Sequence, residues 1–556
     1  MPQPTSYPPQ SLDGIWQFTF QAEQAWTDEN LARLAYDDRI AVPSAFDALP
    51  AYNGRRGVGF YRRLITVPPG QRARLRFNAV GMYAKVFIDQ QKVGEQYAAY
   101  TPFVVEVPKS ERAERELVVM AGNRFDEALY PLHLPDYDFY AYGGIFRSVT
   151  LELLPEGELV EWVGVDTVDP DAGELLIRVR PARPGQAFHL SLDDGPTEIL
   201  TATDVRDGEA RLPLRRPGLS TWSPDSPALH TLAVDNGTHL HTVRFGVRRV
   251  TAAEGRILLN GKPLKLLGYC RHEAHPQFGP ALPLAQLVAD LHLLRDLGCN
   301  FIRGAHYQQD PRFLDLCDEL GFLVFEESLG WGNKAEQLAD PAFIAAQVAQ
   351  TTALINSAYN HPSVILRGFL NEGQSDAAES WPCYDALIRL VRAQDPTRLV
   401  TYASNRALQD RFLEHVDVVS FNIYPGWYAA DIDEECPLAE IRPRIQACLA
   451  GLRERGLAHK PFLLTEIGAG AIYGWRDPVA AHWSEDYQRD YLATVCHEVV
   501  DNPAIAGVAL WQFCDGRTYR GARALRRPRA FNNKGTLDEY RRPKLAYDTV
   551  KAIFTA

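Results

Sequence analysis

The chain has 556 residues, more than one hydrophobic core usually serves, so about three domains are expected. Its 46% hydrophobic and 23% charged residues, with a mean hydropathy of -0.24, describe a soluble globular protein. A net charge of -12 speaks against nucleic acid or an anionic membrane as partner, and an anionic substrate would need a local basic pocket against that field.

The first residues, Met1 to Ser6, carry no basic segment followed by an apolar run, and no later window is apolar enough to span a bilayer. The expectation is a cytoplasmic protein. All eight cysteines stand at or beyond position 270, and none forms a Cys-x-x-Cys pair. Reduced thiols are therefore expected rather than a disulfide scaffold or a structural zinc site.

From about 10 to 155, short runs alternate as strands with one exposed face: Gly14 to Phe20, Gly59 to Val67, then 73–77, 84–88, 116–119 and 145–153. Pro and Gly turns separate them, and helical periodicity is scarce. Residues 1–155 are assigned to a jelly-roll β-sandwich. Residues 156–248 repeat the pattern in about ninety residues, which suits an immunoglobulin-like β-sandwich. Nothing in that block looks chemical, so it is read as a spacer fixing the first domain against the third.

After a hairpin turn at Asn260-Gly261-Lys262-Pro263, strand and helix alternate. Strands are expected at 264–269, 300–304, 322–327, 364–372, 399–404, 416–424, 462–466 and 507–513. Leu284, Leu287, Leu291 and Leu294 form one helical stripe; Tyr384, Leu387, Ile388 and Val391 form another. Eight such units make residues 249–556 a (β/α)₈ TIM barrel.

The fourth of these runs ends in Asn371-Glu372 and the seventh in Thr465-Glu466. Strand C-termini form the rim of a β/α barrel where catalytic groups sit. Two carboxyl groups there are what glycosidic cleavage needs, one protonated to meet the leaving oxygen and one ionised to face the anomeric carbon. Glu372 follows an Asn suited to hold a sugar hydroxyl and is assigned as acid/base. Glu466 precedes Ile467-Gly468-Ala469-Gly470, small residues that would let a sugar ring approach the backbone, and is assigned as nucleophile.

Asn371-Glu372, Thr465-Glu466 and the two sandwiches ahead of the barrel resemble glycoside hydrolase family 2. So do Arg271-His272-Glu273 after the first barrel strand and Arg303-Gly304-Ala305-His306-Tyr307 after the second. That family holds β-galactosidases, β-mannosidases and β-glucuronidases that act with retention, and the likeness runs from Gly14-Ile15-Trp16 to Pro543-Lys544. Within it, Asn532-Asn533-Lys534-Gly535 resembles the Asn-x-Lys-Gly signature of the β-glucuronidases, which implies that Asn532 and Lys534 contact a uronic acid carboxylate. A point-charge ammonium suits that carboxylate.

Asn422-Ile423-Tyr424-Pro425-Gly426-Trp427-Tyr428 resembles a family segment in which Tyr424 would bond the nucleophile and Tyr428 would face the sugar. The segment 138–145 resembles the loop by which the first domain sends an Asp, here Asp138, into the barrel mouth, and Trp511 matches a pocket-lining tryptophan. The family's Arg ahead of Asn-x-Lys is displaced by an apparent insertion; Arg526, Arg527 or Arg529 could supply that contact, and Arg529 is counted with the site. Arg303, His272 and His306 complete the candidate set; the histidines are expected to bond hydroxyls rather than a metal, since Arg271 and Arg303 would repel a cation. Glu326-Glu327 is a further acidic pair of structural or electrostatic use.

The resulting expectation is a retaining exo-β-glucuronidase acting on small or oligosaccharide β-uronides, without organic cofactor or metal. A β-galacturonidase, a β-galactosidase or a non-catalytic carbohydrate-binding protein are the alternatives. Association into a homo-oligomer rests on family analogy alone.

Overall fold

The computed structural model describes residues 8–22, 28–124, 137–428, 437–519 and 527–556. Its first β region is a pair of antiparallel sheets. One runs in the order Gln10–Ser11, Val149–Leu154, Arg72–Phe77, Phe103–Val107; the other has six strands centred on Val58–Thr66 and Glu114–Gly122. Alternation puts Trp16, Phe18, Tyr61, Leu75, Phe77, Val86 and Leu117 between the sheets, all essentially inaccessible to water.

The second region is two four-stranded antiparallel sheets around Ile177, Phe188, Leu212 and Leu232. The expected hairpin joins Arg256–Leu259 to Lys262–Leu264, with Asn260 and Gly261 both at positive φ as a type I′ turn demands.

The barrel closes through parallel pairing in the order of the eight expected units, Leu266–Arg271 meeting both Phe301–Gly304 and Gly507–Leu510. Its fifth strand is split into Leu399–Val400 and Ala403–Ser404. Two expectations need correction. The fourth strand stops at Gly368, so Asn371 and Glu372 stand on the loop beyond it, with Leu370 and Glu372 at φ 53° and 54°. Leu284 opens its helix but is 52% exposed, because the packing stripe begins one turn later at Leu287.

Both sandwiches are bolted to the barrel. Arg147 of the first, 1% exposed, donates to Glu273 at 2.9 Å and to the Gln308 carbonyl at 2.7 Å, while Tyr100 stacks on Tyr307 at 3.7 Å. In the second, Arg178 donates to Tyr359 Oη at 2.7 Å and Arg248 to the Pro362 carbonyl at 2.8 Å. Removing one partner of a buried pair such as Arg147–Glu273 costs about 3–5 kcal/mol, so the first domain is held as firmly as a core element. The seven described cysteines are buried and unbonded; Cys436 lies outside the described residues. Among the described residues, no helix is long and apolar enough to cross a membrane.

Candidate active site

A cavity of about 640 Å³ opens at the C-terminal rim of the barrel, and both Glu372 and Glu466 line it. The loop carrying Glu372 is strapped between the third and fifth strands: the Asn371 amide donates to the Gly330 carbonyl at 2.7 Å and the Glu372 amide to the Ala403 carbonyl at 2.9 Å. Left-handed backbone at a non-glycine costs energy and persists where the surroundings over-determine it. Here the two straps do so.

The acids sit in different company. Glu466 is 4% exposed; its Oε1 accepts from Arg303 Nη1 at 2.8 Å and its Oε2 from Tyr424 Oη at 2.7 Å. Among the described residues Glu372 receives only neutral amides, Asn422 Nδ2 at 2.9 Å and Asn405 Nδ2 at 3.3 Å. Burial, and then the nearby Glu466 charge, push its carboxyl up to about 8. A proton is thereby kept on Glu372 at neutral pH, while Glu466 is wrapped in donors that suit a carboxylate.

One hydrogen-bond system holds the two in register. Arg303, wholly buried, donates to Glu327 at 2.8 Å, to Glu466 and to Asn371 Oδ1 at 2.8 Å. Asn422 Nδ2 reaches both Asn371 Oδ1 at 3.0 Å and Glu372, and its own Oδ1 accepts from Thr465 at 2.8 Å. Asn371 Nδ2 is buried with no partner among the described residues. The acidic pair of the third strand divides by alternation, Glu327 facing Arg303 and Glu326 turning to Arg367.

His306 lines the cavity against Trp511, ring to ring at 5.2 Å, and burial pushes it down to about 3. His272 lies behind it, edge-on to Trp511 at 5.4 Å, and burial holds it well below the ordinary range. Both are neutral imidazoles at physiological pH. Arg303 Nη2 stands 3.4 Å from His306 Nδ1.

Behind the cavity wall a second group converges. Lys534, 1% exposed, donates from Nζ to Tyr428 Oη at 2.6 Å and lies 4.7–5.5 Å from the rings of Tyr428, Tyr424 and Trp427. Burial lowers its pKa, and no carboxylate pairs with it among the described residues. Burial would raise the Tyr428 phenol, but the Lys534 and Arg527 charges hold it below its usual value. Asp138, from the first domain, takes two hydrogen bonds from Arg527, that from Nε at 2.8 Å, and one from Asn532 Nδ2 at 3.3 Å. Gly535 is required next to Lys534, since a Cβ there would lie 2.2 Å from the Asp515 amide.

The structure therefore brings Glu372, Glu466, Asn371, Tyr424, Tyr428, Trp511, Asp138, His306 and Arg303 to one place, with His272, Asn532 and Lys534 directly behind. Arg529 is not among them. It points away to Glu539 at 2.9 Å and borders a separate cavity, because Arg529 and Ala530 at φ 63° and 61° turn the chain over; of the other two arginines, Arg527 faces the site and Arg526 lies outside the described residues. The small residues after Glu466 serve the scaffold: a Cβ on Gly468 would meet the Trp511 carbonyl at 2.0 Å, and one on Gly470 would meet Trp483 at 2.7 Å. Asn422, Asn405 and Trp331 were not singled out from sequence. Asn422 opens the Asn422–Tyr428 segment, and Asn405 directly follows the fifth strand, a rim position.

Residues 9–155 match the family model for the sugar binding domain of glycosyl hydrolases family 2, and 250–556 match that for its TIM barrel domain. The chain is 27% identical to the β-glucuronidase of Streptococcus agalactiae over 96% of this chain and 94% of that protein. Among solved structures it resembles a β-galacturonidase from Eisenbergiella tayi bound to galacturonate (34% identity, 99% and 98% covered, TM-score 0.87). It also resembles a Bifidobacterium dentium β-glucuronidase complexed with coumarin-3-O-glucuronide (25% identity, 100% and 98% covered, TM-score 0.88).

Proposed function

The chain belongs to glycosyl hydrolases family 2 and is a glycoside hydrolase; from that premise we propose that it removes β-linked uronic acid residues from the non-reducing end with retention of configuration. Glu372 protonates the leaving oxygen while Glu466 attacks the anomeric carbon, and water then releases the glycosyl-enzyme with Glu372 as base. This double displacement calls for carboxyl groups about 5–5.5 Å apart. The different donors around the two acids support the split of roles. Asn371 Nδ2, buried and without a partner among the described residues, is suited to donate to a ring hydroxyl.

The observation that carries the uronide reading is the Lys534 ammonium: 1% exposed, ringed by three aromatic faces, and paired with no carboxylate among the described residues. A buried charge without a counter-ion is costly, and a substrate carboxylate beside Tyr428 would supply one. Glucuronide is the first candidate at C4, on the likeness to β-glucuronidases. Galacturonide is the second reading, favoured by 34% identity to a β-galacturonidase over 99% of the chain.

A panel of aryl β-glycosides tests this: glucuronide, galacturonide, glucoside and galactoside. At least one uronide should exceed both neutral sugars in kcat/KM by about 10³-fold or more, and the ratio of the two uronides settles C4. A galactoside turned over as well as either uronide would end the uronide reading. A covalent 2-fluoro-glycosyl adduct on Glu466 would establish retention and exclude a non-catalytic binding protein.

A further inference from the structure

The catalytic cavity, at about 640 Å³, is in the range that encloses a drug-sized ligand and has room for more than the one sugar ring that bond cleavage engages. Part of its wall comes from two segments outside the strands of the catalytic pair. One runs from Asn405 to Gln409 after the fifth barrel strand; the other is Glu440 with Arg444, where the helix Ile441–Glu454 begins. The two are packed together. A Cβ on Gly451 of that helix would lie 2.3 Å from the Leu408 side chain, and Arg455 donates to the Leu408 and Asp410 carbonyls at 3.2 and 2.8 Å. Asn405 ties this wall to the acid, donating from Nδ2 to Glu372 Oε2 at 3.3 Å. On the proposed mechanism Glu372 protonates the leaving oxygen, so the wall that continues from Asn405 borders the leaving group rather than the uronic acid ring.

Among the described residues these two segments bring two cations, Arg406 and Arg444, and one acid, Glu440. Arg406 Nε lies 3.3 Å from Asp376 Oδ1, yet neither atom has a hydrogen-bond partner among the described residues, and the Arg406 Nη groups donate to none of them. Arg444 is exposed and has neither an ion pair nor a side-chain hydrogen bond among the described residues; Glu440, also exposed, pairs with neither arginine. In a chain of net charge -12 arginines have acids in plenty to meet. Two that keep their Nη forks unoccupied in one cavity wall form a local basic spot, which draws anions against the field of the whole. The same segments contribute no aromatic ring, so a flat aryl group finds no stacking surface in them, whereas sugar hydroxyls find Gln409 and Glu440.

We propose that the leaving group is itself a sugar bearing an anionic group, a carboxylate or a sulfate ester, whose oxygens accept hydrogen bonds from Arg406 and Arg444. The substrate class is then an acidic oligosaccharide with a β-linked uronic acid at its non-reducing end. This rests on the uronide reading for the terminal ring and on the outer wall for the ring that follows it. A planar fork of N–H donors matches either oxyanion. The two negative charges of such a substrate would meet separate cations, one at Lys534 and the other at the Arg406–Arg444 wall.

Three disaccharides that share the terminal ring and the leaving hydroxyl test the site: a β-1,4-linked uronosyl-glucose, the same compound sulfated at C6 of the glucose, and the corresponding uronosyl-glucuronate. The terminal ring is whichever the aryl panel prefers, so a failed uronide reading alters that ring and leaves the comparison of leaving groups intact. At least one charged disaccharide should exceed the uncharged one in kcat/KM by about fivefold or more. The excess should shrink as sodium chloride is raised. Whether sulfate or carboxylate gains more identifies the anion. Arg406→Gln and Arg444→Gln should each cut the charged-to-uncharged ratio by about threefold or more. Lys534→Met should leave that ratio within about twofold, because distant sites contribute independently. Equal turnover of all three by the wild type, a ratio indifferent to chloride, a ratio unchanged in Arg444→Gln, or one that collapses in Lys534→Met would each overturn the proposal. Arg444 is exposed and bonded to none of the described residues, so its variant decides the matter even where Arg406→Gln fails to fold.

Discussion

The catalytic pair and the corner behind Tyr428 are built on different plans. Glu372 and Glu466, with Arg303, Asn371, Asn422, Tyr424 and Thr465, all come from barrel strands or from within four residues of their ends, and the loop of Asn371 and Glu372 is tied back to the rim by backbone hydrogen bonds, so the barrel itself fixes their spacing. The corner gathers Asp138 from the first sandwich, Tyr428 from the loop after the sixth strand, and Arg527, Asn532 and Lys534 from beyond the eighth. On the proposed reading, bond cleavage rests on a rigid frame, and recognition of the sugar's acid group on imported segments. The second can change without disturbing the first.

The largest effect separates the two plans most sharply. Glu466→Gln should lower kcat on every glycoside by about 10⁴-fold or more, charged or neutral, since on the proposed mechanism it removes the attacking atom and no substrate contact offsets that. Circular dichroism should be unchanged, because Arg303 keeps Glu327 as counter-ion. A loss confined to uronides would erase the distinction drawn here.

Next in size comes the corner. Lys534→Met should cut kcat/KM on aryl uronides by about 10²–10³-fold while residual turnover of aryl glucosides changes by less than about threefold. Arg527→Gln should fall on the same side, with a smaller loss, and Arg529→Gln should leave kinetics within about twofold, as its guanidinium faces Glu539. Equal losses on charged and neutral sugars would show the corner to be scaffold rather than reader.

The same contrast explains what the sequence disclosed. Barrel strands are near-continuous apolar runs, and a carboxylate at the end of such a run stands out, so Glu372 and Glu466 could be placed from local pattern alone. The corner depends on which way single side chains turn after irregular loops. Nothing in Arg526-Arg527-Pro528-Arg529 announces that Arg529 and Ala530 adopt left-handed backbone, and that turn sends Arg527 inward and Arg529 outward. The glycines after Glu466 misled for a related reason: a missing side chain looks the same whether a sugar or a neighbouring strand fills the space, and here Trp511 and Trp483 fill it. Asn422 has no assignment from sequence because its work is done sideways, across the rim to the loop beyond the fourth strand.

That sideways contact gives the smallest and most local test. Glu372 must carry its proton to act as acid, so kcat/KM should fall as pH rises through about 8. Asn422 donates to Glu372 Oε1 and so favours the ionised form. Removing it in Asn422→Ala should move the alkaline limb to higher pH, whereas Lys534→Met, acting in the other region, should leave the limb in place. The folded state also holds that proton above the pKa of the unfolded chain, so this group's contribution to stability is present below about pH 4.5 and is lost as pH rises toward 8. Glu372→Gln removes the loss: it should melt above wild type at pH 9, with the gap closing toward pH 5. A gap of the same size at both pH values would mean that the carboxyl is not kept protonated by its surroundings, and the assignment of Glu372 as the acid would lose its physical basis.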